Sequence, residues 1–292
     1  MARTIGIVGL GLIGGSFARA IRVKTDMRIL GRDVDDVTQA AAQADGVIDE
    51  RLTRAGLSEC DYLILALRPA AAIEWMSGHI DDIKDGCIVF DVAGVKREMC
   101  AELGALCTDT GVRFVGTHPM AGYHKGGYMH SSSTLFEGAS CIICEDEFTD
   151  SVASARVAEL MIELGFGHIE VTTPERHDEI IAFTSQLAHI ASNAYIKDPV
   201  SAQHSGFTAG SFQDMTRVAI LDADMWTELM LANRDNLEAH LDTLMAHLGE
   251  YRAALAAGDA DTLRELLGAG VLAKEASLRA GEEGDSVRCD GA

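Results

Sequence analysis

The sequence predicts an α/β fold in which a mostly parallel sheet, covered by helices on both faces, is followed by an all-helical domain. Two observations predict this fold. Up to Thr172, short apolar runs alternate with stretches whose apolar residues recur every three to four positions, as in strands that alternate with helices. After Pro174 the strand-like runs end, and helical patterns continue from Glu175 to about Leu278.

The predicted strands are short apolar runs, as expected for the buried strands of a parallel sheet. In chain order they are Thr4–Val8, Met27–Leu30, Asp61–Leu67, Cys87–Val92, Val112–Val115, Ser140–Cys144 and His168–Val171. Amphipathic helices are predicted between them at Ser16–Val23, Ala70–His79, Lys96–Cys107 and Val152–Leu164. We therefore expect a sheet domain over 1–172, a helical domain over 173–280 and a polar, disordered tail over 281–292.

Composition restricts the partners and the compartment. The 292 residues are 48% hydrophobic and carry a formal net charge of −21, which repels nucleic acid and anionic lipid, so we expect neither as a partner. No stretch approaches the roughly 18 consecutive apolar residues of a membrane span, and a strand begins where a signal peptide would lie. These features predict a cytoplasmic protein.

Seven dispersed cysteines are typical of a reducing compartment rather than of a disulfide framework. Cys141 and Cys144 form a single C-x-x-C in a predicted strand, where residues three apart face opposite sides of the sheet. No second ligand pair accompanies them, so a structural role is favoured over a metal or redox site.

A glycine-rich loop at 9–14 follows a predicted strand and opens a helix, which is the context that a dinucleotide-binding G-x-G-x-x-G motif requires. Gly9 would allow the tight turn, Gly11 the approach of the pyrophosphate, and Gly14 close packing of helix and strand. The free N–H groups of the helix N-terminus would hold the phosphates. The alternative is a glycine turn with a purely structural role. The predicted cofactor residues of this Rossmann-type loop are Gly9, Gly11, Leu12, Ile13 and Gly14.

Two neighbouring residues at the end of the second strand bear on the choice of cofactor. Asp33 lies nineteen positions after Gly14, near the expected place of a carboxylate that binds the adenosine ribose. Its charge favours NAD, whereas Arg32 could pair with the 2′-phosphate of NADP. NAD is the preferred prediction, with NADP open through Arg32.

Three segments together resemble the prephenate/arogenate dehydrogenase family of tyrosine biosynthesis. They are GLGLIGGS over 9–16, GTHPMAG over 116–122 and the later Thr-Arg pair at 216–217, and the resemblance extends from Thr4 to about Leu266. It implies a dinucleotide-binding domain followed by a helical dimerisation domain, and hence a homodimer through the C-terminal helices. It also implies oxidative decarboxylation of prephenate, or of its amino counterpart arogenate, with hydride transfer to NAD or NADP.

His118 is the predicted catalytic residue. It follows Val112–Val115 and so lies at the carboxyl end of a strand, the edge where ligands bind in such sheets. A histidine before a proline is by itself more often structural. The resemblance implies instead that His118 accepts a hydrogen bond from the ring hydroxyl of the substrate, while the carbinol carbon gives up its hydride.

The resemblance also predicts how the substrate, a small dicarboxylate, is bound. Arg217 would grip a carboxylate through two parallel hydrogen bonds, with a helix ion pair to Asp214 as the structural alternative. His189 would orient substrate and nicotinamide, unless it is a core histidine. The predicted substrate-binding residues are His189, Arg217, Gln186, which shares a helix face with His189, Gly122, which opens its loop, and Trp226, which could equally be a core tryptophan.

The chain departs from the family pattern at Gly94, where the family commonly has a serine near the reacting hydroxyl. His118, His124 and His130 lie on a loop without metal-ligand spacing, so no metal is predicted. Two rival functions stay open at this point: another hydroxy- or imino-acid oxidoreductase of similar build, and a dinucleotide-binding sensor without turnover.

Leucines recur at alternating steps of four and three in the helical region, which forms a heptad seam. This seam predicts either packing within the helical domain or a helix–helix dimer interface. It comprises Leu237, Leu241, Leu244, Leu248, Tyr251 and Leu255.

Overall fold

One eight-stranded sheet organises the protein, in the order β3-β2-β1-β4-β5-β6-β7-β8. The computed structural model describes residues 3–123 and 125–289, with side chains to residue 280. Strands β1 to β6 run parallel, β7 is antiparallel to β6, and β8 is parallel to β7. The strands are β1 (Thr4–Val8), β2 (Arg28–Arg32), β3 (Glu50–Arg51), β4 (Tyr62–Leu65), β5 (Ile88–Asp91), β6 (Arg113–Pro119), β7 (Ser140–Cys144) and β8 (His168–Thr172).

Helices connect most of the strands, and helices joined by loops make up the described chain after β8. Those within the sheet region are α1 (Leu12–Lys24), α2 (Asp36–Ala44), α3 (Arg54–Leu57), α4 (Pro69–Ser77), α5 (Arg97–Cys107) and α6 (Ser151–Glu163). Those after β8 are α7 (Pro174–Ile181), α8 (Ala188–Tyr195), α9 (Gly210–Thr216), α10 (Ala223–Ala232), α11 (Arg234–Ala257) and α12 (Ala260–Cys289). A π-helical segment, Ala182–Leu187, joins α7 to α8. The α/β class with a helical C-terminal region is therefore confirmed.

Two hydrophobic clusters cover the two faces of the sheet. The first packs α1 and α6 on the sheet, and at its centre the ring of Phe17 lies 4.3 Å from that of Phe136. The second packs α4 and α5 on the opposite face. Cys141 belongs to the first cluster and Cys144 to the second, so the two sulfurs point to opposite faces, as their spacing predicts.

The predicted strands are confirmed, with one informative extension. β6 continues past Val115 to Pro119 because it changes partner. Arg113–Val115 pair with β5, and Gly116–Pro119 pair with β7. The sequence patterns missed β3, α2 and the short helix α3.

The chain divides into two compact units, Met1–Leu237 and Glu238–Ala292. The second unit contains α11 from Glu238 onward and the whole of α12. These two helices contact each other where the Tyr251 hydroxyl donates to the Leu266 carbonyl at 3.1 Å. The predicted boundary between residues 172 and 173 stays a prediction. The side chains of the expected disordered tail, 281–292, lie outside the described residues, so that expectation also stays a prediction.

Among the described helices, none is long and apolar enough to cross a membrane. The heptad seam is only partly covered within the chain, since Leu241, Leu244 and Tyr251 are partly buried. Leu237 is buried, but Leu248 is 58% and Leu255 66% exposed.

Candidate active site and dinucleotide site

The glycine-rich loop has the shape that a dinucleotide requires. Gly9 adopts φ +90°, which favours glycine, and its N–H donates to the carbonyl of Arg32 at 2.8 Å. A Cβ on Gly14 would overlap the carbonyl oxygen of Gly9, so helix α1 can pack this closely only with glycine there. A Cβ on Gly11 would meet no atom within 4 Å. The open side of the loop at Gly11 is therefore free for a ligand, next to the N-terminus of α1 where Leu12 and Ile13 lie.

Asp33 lies beside this loop, at the end of β2. Its Oδ2 accepts from the N–H of Leu10 at 2.7 Å, and its Oδ1 accepts from the N–H of Asp35 at 2.9 Å. The carboxylate is partly exposed, and each oxygen keeps a further lone pair. The side chain of Arg32 is exposed, and it has no ion pair within the described part of the chain.

His118 lies on β6, beyond the point where the strand leaves β5. Because β1, β4, β5 and the first part of β6 are parallel, their carboxyl ends share one edge of the sheet. His118 therefore lies at the same edge as the glycine-rich loop, as predicted. Its register partner on β7 is Ile142, and the residue is partly exposed.

A chain of hydrogen bonds runs from His118 into the protein. Its Nδ1 lies 2.9 Å from Nε2 of His177, and Nδ1 of His177 lies 2.7 Å from Oδ1 of Asp178. His177 and Asp178 are both buried, on α7. The sequence analysis missed both residues.

Asp178 is itself held in place by helix α5. Its carboxylate accepts from the N–H of Lys96 at 2.8 Å and from the N–H of Arg97 at 3.0 Å, which are free donors at the start of that helix. Arg97 in turn pairs with Asp235 at 2.5 Å. A carboxylate from α7 thus caps α5 and orients the two histidines.

These contacts fix the tautomer of each ring. A carboxylate only accepts, so Nδ1 of His177 carries the proton and its Nε2 is an acceptor. His118 must then donate through Nδ1, which leaves its own Nε2 with a free lone pair. His118 is therefore presented as a base through Nε2.

The surroundings of these side chains reinforce this assignment. Desolvation lowers the pKa of His118 well below 6.5, and the nearby His177 and Lys96 lower it further. Desolvation also lowers the pKa of His177. For Asp178, burial raises the pKa, but the hydrogen bonds from His177 and from the α5 backbone outweigh it, so the net shift is downward. The charge state is neutral His118, neutral His177 and ionised Asp178.

A fully buried ion pair between Lys96 and Asp91 lies at the end of β5, next to the strand that carries His118. Asp91 ends β5, and its carboxylate also accepts from the N–H of Ala93 at 2.8 Å and of Thr117 at 3.2 Å. Thr117 immediately precedes His118. The ion pair therefore connects the end of β5 and the loop after it to the strand that carries His118.

Gly94 lies directly in front of the base. A Cβ at this position would be 3.8 Å from Nε2 of His118 and 3.6 Å from the side chain of Leu229, both ordinary contact distances. The space beside the free nitrogen is thus bounded by Gly94 and by Leu229 of α10.

Two of the predicted substrate residues, His189 on α8 and Trp226 on α10, contact each other. The ring of His189 contacts that of Trp226 with their centres 3.8 Å apart and their planes inclined by 31°, and Nδ1 of His189 donates to the carbonyl of Ser185 at 2.9 Å. They line a groove of about 330 Å³ between α8 and α10. Its other lining residues are Ile190, Asn193, Ala194, Lys197, Leu221, Ala223, Thr227 and Met230.

The remaining predicted residues take different positions. Gln186 is buried. Its Nε2 donates to the carbonyl of Leu229 at 3.1 Å, and its Oε1 accepts from Nδ2 of Asn233 at 2.9 Å. Arg217 is exposed at the end of α9, without an ion pair to Asp214 among the described contacts. Gly122 is exposed with open space around it. Their roles in substrate binding stay predictions.

The loop that carries Gly122 is hydrogen-bonded to α1, the helix that follows the glycine-rich loop. The N–H of Ser132 donates to Oγ of Ser16 at 3.0 Å, and Nε of Arg19 donates to Oγ of Ser131 at 2.9 Å. A Cβ on Gly15 would lie 3.0 Å from Ser131, so this glycine permits the close approach. His124, in the same loop, lies outside the described residues.

Comparison with known proteins agrees with this architecture. The family profile described as prephenate dehydrogenase, nucleotide-binding domain, matches residues 17–170, and the one described as prephenate dehydrogenase, dimerization domain, matches residues 173–269. The prephenate dehydrogenase of Lactococcus lactis is 31% identical over 278 residues, which cover 92% of this chain and 76% of that protein.

A cyclohexadienyl dehydrogenase of Zymomonas mobilis is 30% identical over 276 residues, covering 89% of this chain and 91% of that protein. The crystal structure of Synechocystis arogenate dehydrogenase superposes with a TM-score of 0.79 at 25% identity, covering 94% of this chain and 99% of the other. Family profiles match both the sheet region and the helical region, and identity reaches 31% over most of the chain. The chain belongs to the prephenate dehydrogenase family.

Proposed function

We propose that the protein catalyses the oxidative decarboxylation of prephenate, or of its amino counterpart arogenate, in tyrosine biosynthesis, with hydride transfer to a nicotinamide dinucleotide. The observation that carries the proposal is the free Nε2 of His118, at the sheet edge shared with the glycine-rich loop. The hydrogen bonds through His177 and Asp178 make this nitrogen an acceptor. Membership of the family supplies the reaction class.

The ring hydroxyl of the substrate donates to His118 Nε2 and transfers its proton there as the carbinol carbon loses hydride. The dinucleotide, when bound, supplies the hydride acceptor. The bond from the ring to its carboxylate then breaks, CO2 leaves, and the electron pair of that bond completes the aromatic ring. His118 returns the proton to the phenolic oxygen. The positive charge that forms on His118 is shared through His177 towards Asp178, which is ionised and buried.

The residues of the glycine-rich loop fit a dinucleotide. Gly11 leaves the space that a pyrophosphate needs, and Gly9 and Gly14 shape the turn. We assign NAD as the cofactor because the Asp33 carboxylate, fixed by Leu10 and Asp35, disfavours a 2′-phosphate. NADP binding through the exposed Arg32 is the competing assignment.

The predicted substrate residues divide by their surroundings. We assign His189 and Trp226 to contact with the substrate, because both line the groove between α8 and α10. Arg217 is exposed and unpaired in the described structure, and we assign it to a carboxylate of the substrate. The amide of Gln186 bonds to Leu229 and Asn233 and so holds α10 in place, and the contact of Gln186 with the substrate stays a prediction.

We also propose that the protein is a homodimer formed through its C-terminal helices. The exposed leucines of the heptad seam and the description of the matching family domain support this. The described cysteines are free and buried, consistent with a cytoplasmic enzyme.

The experiment that tests the function is NAD(P)H formation with prephenate and arogenate in parallel, each with NAD and with NADP. We expect equimolar reduced cofactor and CO2, with NAD preferred. Reduction of the cofactor by other hydroxy acids alone would support the rival oxidoreductase. Cofactor binding without reduction by any of these substrates would support a sensor.

A further inference from the structure

We infer that Glu228 of α10 is a positioning residue for hydride transfer: it fixes Leu229, in front of the base, relative to one wall of the dinucleotide crevice. The inference rests on the proposed function and adds to it a residue that does not have to touch substrate or cofactor. The sequence analysis did not single out Glu228.

The turn between β4 and α4, residues 66–68, forms one wall of the proposed crevice. The chain places β2 and β3 on one side of β1 and then crosses to β4 on the other side. Ligands of such sheets bind at the carboxyl ends of the strands where the order reverses, here between β1 and β4. The turn also packs on the glycine-rich loop: a Cβ on Gly9 would overlap the carbonyl oxygen of Ala66, and one on Gly14 would lie 2.9 Å from the Cβ of Ala66. A dinucleotide held by the glycine-rich loop would therefore lie next to this turn.

Helix α10 is attached to the same turn by two contacts. The N–H of Ala70, a free donor in the first turn of α4, donates to Oε1 of Glu228 at 3.0 Å. The N-cap residue of α4 is Arg68, whose side chain has no acceptor, so Glu228 supplies the cap that this helix lacks. Its negative charge also suits a helix N-terminus. Arg68 in addition pairs with Asp222, the N-cap of α10, at 3.6 Å.

The residue after Glu228 bounds the space in front of the base. A Cβ on Gly94 would lie 3.6 Å from the side chain of Leu229 and 3.8 Å from Nε2 of His118. The residue that holds the crevice wall and the residue that bounds the base are therefore consecutive on α10. Hydride transfer requires the two reacting carbons at about 3–3.5 Å from each other. The contact of Glu228 with α4 sets the separation between the parts of the protein that would hold these two carbons.

These contacts should matter more for geometry than for stability. Arg68 and Asp222 are 47% and 55% exposed, and an exposed ion pair contributes little to stability. The loss of one cap from a short helix also has only a modest effect on stability. A displacement of the reacting atoms by about 1 Å, in contrast, can slow a reaction about 100-fold. The loss of Glu228 should therefore slow hydride transfer while the protein still folds.

The test uses the full-length enzyme with NAD and the better of the two substrates. Glu228→Ala should slow single-turnover hydride transfer by about 10-fold to 100-fold, while the Kd for NAD stays within about twofold of the wild-type value. Glu228→Gln keeps an acceptor oxygen for the N–H of Ala70 and should restore most of the rate. Asp222→Asn keeps an N-cap acceptor on α10 but removes the ion pair with Arg68, and it should have the smaller effect. Glu238→Ala, at an exposed glutamate of α11, is the matched control and should leave the rate unchanged.

Thermal unfolding and NAD titration separate positioning from a purely structural role. A structural role would lower the Tm and the fraction of NAD-binding sites, whereas positioning lowers the rate of hydride transfer at each site that binds NAD. Glu228→Asp keeps the charge but shortens the reach by one methylene group, so it should also slow hydride transfer and replaces the alanine variant if that one does not fold.

A folded Glu228→Ala or Glu228→Asp enzyme with the wild-type rate of hydride transfer would overturn the inference and leave the proposed function intact. The same holds if Glu228→Gln is as slow as the alanine variant. If the wild type reduces the cofactor with neither prephenate nor arogenate, it is the proposed function that fails.

Discussion

The basicity of His118 depends on two residues that lie behind it. His177 holds the proton of His118 on Nδ1, and Asp178 holds the proton of His177 on its Nδ1. Neither residue has to touch the substrate, so both are positioning residues. Their effect on catalysis should therefore appear in turnover and its pH dependence more than in substrate affinity.

Replacing His177 by leucine should lower kcat by about 100-fold or more while changing KM little, because His118 loses the acceptor that fixes its tautomer. Steady-state kinetics across pH measure both quantities. The pH profile should also shift, since the neighbouring His177 helps to lower the pKa of His118. His247→Leu, at an exposed histidine of α11, is the control. A folded His177→Leu enzyme with wild-type kcat and an unshifted profile would contradict the positioning role.

Gly94→Ser should be tolerated and should increase kcat. The added Cβ meets only ordinary contacts, 3.6 Å from Leu229 and 3.8 Å from His118 Nε2, and the hydroxyl would reach the reacting group. Gly94→Ala adds the same Cβ without the hydroxyl and is the matched control. Equal kcat values for the serine and alanine variants would show that no hydroxyl assists the reaction here.

The sequence located His118 but not His177 or Asp178, and the reason is physical. His118 follows a strand pattern and lies in a specific motif, whereas His177 is 59 positions away on an amphipathic helix. A His-Asp pair in such a helix gives no sign that tertiary contacts bury it. The same holds for Gln186: its helical spacing with His189 was visible, but its burial against Leu229 depends on how α8 and α10 pack.

Among the elements, those with a strong periodic pattern were predicted and those without were missed. β1 and β7 begin and end at the predicted residues because each is an apolar run with clear limits. β3 consists of Glu50 and Arg51, two charged residues that pair only because β2 lies beside them. The extension of β6 to Pro119 likewise depends on pairing with β7, which local sequence does not encode.

The glycine-rich loop offers a paired test of the dinucleotide site. Gly11→Ala should fold with an unchanged Tm but bind NAD at least about tenfold more weakly, because its Cβ enters only the ligand space. Gly14→Ala should lower Tm, because its Cβ overlaps the carbonyl of Gly9. Thermal unfolding and NAD titration of the two variants separate these effects. Unchanged NAD affinity in Gly11→Ala would contradict this assignment of the cofactor site.

At the scale of the whole molecule, the strongly negative charge means that the sites for anions must be local. The proposed dinucleotide site would use the N-terminus of α1, and the exposed Arg217 is the residue that we assign to a carboxylate of the substrate. The helical class of the C-terminal region was predictable from periodicity. Its assembly was not, because a heptad seam is equally consistent with internal packing and with a dimer.

We expect the protein to be a dimer in sedimentation equilibrium. Leu248 and Leu255 are largely exposed within one chain, and burying them against a second copy would stabilise the assembly. The double substitution Leu248→Glu with Leu255→Glu should yield a monomer with unchanged helical content by circular dichroism. If the double variant stays dimeric, the dimer forms through another surface.

The central claim is that His118 accepts the proton of the reacting hydroxyl, and single-turnover kinetics of His118→Asn test it most directly. With NAD and the better of the two substrates, the variant should bind NAD with wild-type affinity yet show hydride transfer slower by about 1,000-fold or more. In the wild type, kcat/KM should stay level as pH falls to 6.5 and decline only below it, because the pKa of His118 lies well below that value and protonation removes the base. A His118→Asn enzyme that keeps most of its rate of hydride transfer would contradict the claim.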